Sequence, residues 1–132
     1  GGLTVVVNRT ASKAKTIARQ FDCPFYPLAE IAKIQADCLI NTTPVGMYPD
    51  VASSPVPEKV LKNYKYVMDA IYNPLQTKLL KAAAARGCRL ISGVDMFIHQ
   101  GAAQLKLWTK KDPPVELMKK IVLERLLTLE QR

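Results

Sequence analysis

Long apolar runs are missing from this chain, and with them the mark of a membrane-spanning helix. No stretch approaches the ~18 consecutive apolar residues that a span needs, and the N-terminal residues do not resemble a secretory signal. A cytoplasmic setting is the expectation, or the plastid stroma for a plant source. Cysteine is scarce as well. Cys23, Cys38 and Cys88 are odd in number, far apart and set in apolar stretches, so they are expected as small buried hydrophobes and not as a disulfide frame or metal site. The single histidine, His99, is read as a helix-surface residue. Aromatic residues make up only 7%, and the lysines and arginines behind the net charge of +8 are scattered along the chain. No nucleic-acid signature accompanies them, so a basic surface that attracts anionic small molecules is the simpler reading.

What is present fits one soluble α/β domain over residues 1–132, with 48% hydrophobic and 23% charged residues. Strand and helix signals alternate about five times. Leu3 to Val7 reads as a buried strand. Apolar positions Ala11, Ala14, Ile17, Ala18 and Phe21 then recur at helical spacing. A short edge strand is expected at Cys23–Tyr26, a short helix at Leu28–Ile34 and a buried strand at Asp37–Asn41. A proline-stiffened loop runs to about Pro57, followed by a short helix. A strand at Tyr66–Ile71, a helix at Leu75–Arg86, a strand at Arg89–Ser92 broken by Gly93, and helices at Val94–Trp108 and Val115–Leu129 complete the chain. Such alternation predicts a parallel sheet with helices on both faces.

The unusual polar residues cluster where strands end: Asn8-Arg9-Thr10, Asn41-Thr42-Thr43, Asp69 with Tyr72-Asn73, and Gly93. In a parallel sheet those ends share one edge and line one crevice. At the end of the second strand of a dinucleotide fold, an acidic residue would bond the ribose 2′-hydroxyl of NAD. Arg9 stands there instead, able to fork onto a 2′-phosphate, with Lys13 one helical turn on, and this favours NADP. The same residues also fit an ordinary strand-to-helix turn. Asn41-Thr42-Thr43 offers hydroxyls and an amide to ribose or phosphate, or simply caps its loop. Asp69 suits either a substrate hydroxyl or nearby backbone donors. Gln100 and Gln104 lie four apart on one helical face. A glycine-rich G-x-G-x-x-G turn that would cradle the pyrophosphate does not precede the first strand. The expected fold is therefore Rossmann-like but missing its first strand and helix. The Leu3 and Cys38 strands must then either pair directly or leave an open edge.

Four stretches in order, Asn8–Thr10, Asn41–Met47, Asp69–Pro74 and Gly93–Ala102, together closely resemble the C-terminal part of shikimate dehydrogenases. The resemblance implies an NADP-binding portion of an oxidoreductase that reduces 3-dehydroshikimate to shikimate in the shikimate pathway of aromatic amino-acid biosynthesis. It places Asn8, Arg9, Thr10, Lys13, Thr43, Ile71 and Gly93 on the cofactor, and Tyr72 and Gln100 on the substrate, with Gln104 a weaker candidate. The family's catalytic lysine and aspartate belong to an N-terminal substrate domain that this sequence does not contain. No catalytic residue, and no activity of this chain alone, is expected. A quinate-using relative that takes NAD or NADP is the near alternative. A non-catalytic basic module binding anions or nucleic acid is the alternative of another class.

Overall fold

The computed structural model describes residues 2–130. Contacts divide the chain into two compact units, Gly1–Gln35 and Ala36–Arg132.

The first unit holds β1 (Val6–Asn8), α1 (Ala11–Gln20) and β2 (Phe25–Pro27), followed by a 3₁₀ turn at Leu28–Lys33. The two strands pair in parallel, Val6 opposite Phe25 and Asn8 opposite Pro27. Helix α1 buries Ala14 and Ala18, whose small side chains let it lie close to its neighbours. The expectation of a buried opening strand is not met. Leu3 is fully exposed, Val5 is also exposed, and Val6 and Val7 are only half-buried. A β-branched run signals fit to a pleated surface, but burial also needs neighbours on both sides, and among the described residues β1 has one partner strand. The Leu28–Ile34 segment is 3₁₀ and not α-helical.

The second unit carries β3 (Cys38–Asn41), a 3₁₀ turn at Glu58–Asn63, β4 (Tyr66–Asp69), α2 (Lys78–Ala85), β5 (Arg89–Ile91), α3 (Gly93–Thr109) and α4 (Val115–Glu130). Its sheet is parallel in the order β3-β4-β5. Central β4 is the most buried strand, with Val67 and Asp69 wholly enclosed. Leu79, Leu80 and Ala83 of α2, with Val60, Leu61 and Tyr64, complete that core. Each aliphatic chain so enclosed contributes roughly 1.5–3 kcal/mol. Val94 and Ile98 of α3 meet Leu126 of α4 in a second cluster, with Phe97, Met118 and Val122 packed around it.

The expected parallel α/β arrangement is present within each unit, β1 with β2 in the first and β3-β4-β5 in the second. Several details need correction. Helix α2 starts at Lys78 and not Leu75, because Thr77 caps it by accepting from the Leu80 N–H at 3.3 Å. The strand expected to run to Ser92 ends at Ile91; Ser92 caps α3, and Gly93 is already its first residue. On α4, Met118, Val122 and Leu126 turn inward, while Ile121 and Leu129 lie outside that face and are exposed. The three cysteines are free and half-buried, not fully enclosed.

Candidate functional site

In the first unit the β1–α1 turn is set by Asn8, whose Oδ1 accepts from the Thr10 N–H at 2.8 Å. Thr10 stands at the N-cap position with extended dihedrals, and its hydroxyl makes no capping bond. Arg9 and Lys13 are exposed and make no ion pair or side-chain hydrogen bond among the described residues. No acidic residue occupies the first turn of α1. The helix N-terminus, its unpaired N–H groups and two free cations thus present a patch of one sign, suited to an anion.

In the second unit the ends of β3 and β4 are joined by buried side chains. The register sets Asn41 opposite Asp69, and both are enclosed. The Asp69 carboxylate accepts from Asn41 Nδ2 at 3.0 Å, the Ile71 N–H at 3.1 Å and the Thr77 hydroxyl at 2.7 Å. Asp69 therefore meets backbone and buried donors and is not offered to a ligand. Asn41 Oδ1 accepts both the N–H and the hydroxyl of Thr43, at 3.0 and 2.8 Å. The Thr43 hydroxyl also accepts from the Val45 N–H at 3.3 Å, leaving it one further acceptor position. Gly46 turns this loop at φ +97°, and a side chain there would press on the Ser53 carbonyl.

Beyond β4, Ile71 is buried and its N–H is already used by Asp69, so its side chain belongs to the core. Tyr72 is 41% exposed, and its ring stacks on Phe97 of α3 at 4.7 Å and 26°. No sequence signal announces that stacking. Gly93 sits where a Cβ would fall on the carbonyl oxygens of Ile71 and Ala70, so glycine alone lets α3 start against this loop. Gln100 and Gln104, further along α3, are exposed, as is His99.

The start of α3 is further fixed by Asp95. Its carboxylate accepts from the Ser92 hydroxyl and from Lys119 of α4, both at 2.8 Å. The Lys119 hydrogen bond first, and that of Ser92 second, hold the Asp95 carboxyl below its usual range. An open cleft of about 1070 Å³ lies beside these strand ends. It is lined by Tyr48, Asn73, Gln76, Lys81 and Leu129, and not by Thr43, Tyr72 or Gln100. Among the described residues no helix is long and apolar enough to cross a membrane, and no group of three or more His, Cys, Asp or Glu is placed to hold a metal ion.

Within each unit, then, the structure brings predicted residues together: Asn8, Arg9, Thr10 and Lys13 in the first; Thr43, Ile71, Tyr72 and Gly93 in the second. Residues 93–123 match the family model described as the Shikimate 5'-dehydrogenase C-terminal domain. Shikimate dehydrogenase (NADP(+)) of Pyrococcus abyssi is 47% identical over 124 residues, covering 92% of this chain and 46% of the relative. The crystal structure of shikimate 5-dehydrogenase from Thermus thermophilus in complex with NADP(H) and shikimate superposes with a TM-score of 0.82 at 32% identity, covering 91% of this chain and 45% of that one. Quinate dehydrogenase from Corynebacterium glutamicum, in complex with NAD, gives 0.80 at 30% identity, with 91% and 45% covered. The chain spans about half the length of the curated relatives it matches.

Proposed function

Because the chain belongs to the shikimate dehydrogenase family, as its C-terminal portion, we propose that it binds NADP(H) and presents it to a substrate held largely by another part of a longer protein. The observation that carries this reading is the β1–α1 turn, where Arg9 is exposed and unpaired, Lys13 follows and no carboxylate competes in the first helical turn. These residues fit a 2′-phosphate. An NAD site would favour an acid at this place, to take the ribose hydroxyls.

NADPH, when bound, supplies the hydride for reduction of a carbonyl such as that of 3-dehydroshikimate. This chain's part is to bind and orient. Asn8 shapes the turn for the adenosine, Arg9 and Lys13 neutralise phosphate charge, and the Thr43 hydroxyl keeps an acceptor position for the cofactor side. The Ile71 main chain and Gly93 form the floor on which the nicotinamide would lie. Tyr72, its ring held by Phe97, and Gln100 supply a phenol and an amide to a hydroxylated substrate. The proton-transfer groups are assigned to the rest of the longer protein.

Titration of the chain with NADPH and NADH tests this. NADPH is expected to bind the tighter, and Arg9→Ala to weaken it by about 10- to 100-fold through loss of a charge-assisted contact while leaving NADH unaffected. Equal affinity for the two cofactors that survives Arg9→Ala would overturn the assignment. A steep salt-dependent affinity for DNA or RNA without an NADPH response would favour the basic-module alternative. The match to an NAD-bound quinate dehydrogenase supports a second reading, in which the longer protein accepts quinate.

A further inference from the structure

We propose that Asn41 is a positioning residue: its amide sets Thr43 for the cofactor and, through Asp69, locks that setting to the loop that carries Tyr72. The inference rests on the NADP(H) reading above and goes beyond it, since neither Asn41 nor Asp69 is offered to a ligand.

Three observations carry it. First, both groups of the Asn41 amide are used in different directions, Oδ1 by Thr43 and Nδ2 by Asp69. An amide that accepts and donates at once cannot rotate without breaking both connections. Second, Asp69 uses the same oxygen for Asn41 Nδ2 and for the Ile71 N–H, so the residue before Tyr72 is fixed by the atom that fixes Asn41. Third, both residues are buried, Asn41 at 4% and Asp69 at 0% exposure. Water therefore does not replace a lost partner, and a broken link leaves a donor or acceptor unmatched. The other Asp69 oxygen takes the hydroxyl of Thr77, which also caps α2, so the network is anchored to a helix. The loop after β3 and the loop after β4 are thereby held as one piece.

The test is a double-mutant cycle on NADPH affinity in this chain, with Asn41→Ala and Thr43→Ala, alongside amide exchange at Ile71. Asn41→Ala is expected to weaken NADPH about tenfold although it touches no cofactor, and the double variant to be no weaker than Asn41→Ala alone. Ile71 exchange is expected to accelerate at least about tenfold in Asn41→Ala, although Asn41 does not bond Ile71. Val60→Ala, a core truncation at a 2% exposed position, controls for lost stability and is expected to leave NADPH affinity unchanged. Asn41→Ser keeps a polar group in the cavity and takes the place of Asn41→Ala if that variant does not fold. Additive effects in the cycle, an equal loss of affinity in Val60→Ala, or unaltered Ile71 exchange would each overturn the proposal. A wild-type chain that does not bind NADPH overturns the reading of the site instead, and the exchange measurement then decides the coupling by itself.

Discussion

Gly93→Ala and Gly101→Ala make the same chemical change in the same helix, and the structure gives them opposite signs. At position 93 the new methyl falls on the main-chain oxygens of Ile71 and Ala70, which cannot rotate aside. Helix α3 must retreat, and the overpacking costs about 1–3 kcal/mol. The upper end is expected, because retreat also uncovers Val94 and Ile98, exposed by only 4% and 2%. At position 101 the nearest atom to a new methyl is the flexible Cε of Met118, at 3.4 Å. There alanine gains about 1 kcal/mol of helix propensity. The two variants should differ by about 2–4 kcal/mol. With a urea dependence of about 2 kcal/mol/M, their midpoints should lie roughly 1–2 M apart, on either side of the wild type. Circular dichroism at 222 nm against urea measures this. A Gly93→Ala midpoint equal to or above that of the wild type would refute the close-approach argument.

Other outcomes follow from the same contacts. Thr77→Val removes the α2 cap and a donor to buried Asp69, and should lower stability by about 2–4 kcal/mol, with Thr77→Ser restoring most of it in the same urea assay. The Tyr64 hydroxyl is buried with no partner among the described residues, so Tyr64→Phe should be neutral or stabilising in thermal melts; a loss beyond about 1 kcal/mol would show that the hydroxyl is paired. Asp95, held low by Lys119 and Ser92, contributes stability that is present above the ordinary carboxylate value near 4 and is lost as pH falls through its lower folded value. The urea-midpoint gap between wild type and Lys119→Met should therefore close in acid, and a gap constant down to pH 2 would exclude the ion pair as its source. The pair is partly exposed, so salt should shrink the same gap.

Much of this architecture is legible in the sequence because it depends on local pattern. The spacing of Ala14 and Ala18, of Val94, Ile98 and Ala102, and the apolar run around Val67 each announce an element that the structure contains. What stays hidden depends on meetings at a distance. Val5 to Val7 look like a buried strand because β-branching shows a strand's fitness without counting its neighbours. The start of α2 is misread because apolar Leu75 suggests helix, whereas the hydroxyl of Thr77 sets the boundary. Asp69 reads as either structural or functional. Its partners lie 28 residues before it and 8 after it, the first set opposite by the parallel register and the second delivered by the start of α2. The absence of an acid beside Arg9 is readable without any tertiary contact, and the structure leaves Arg9 exposed with no acidic residue in the first turn of α1.

The contact at Gly93 also limits how sequences related to this one can change. The atoms that exclude a side chain there are carbonyl oxygens, which every amino acid at positions 70 and 71 carries. No exchange of side chains at those two sites can make room, so a substitution at 93 has no compensating partner among them. Space opens only if the main chain itself is rerouted, by an insertion or deletion in the loop after β4 or by a new entry angle for α3. Such a rerouting would carry Phe97 away from Tyr72. Single-residue drift is therefore blocked at this position by backbone and not by chemistry.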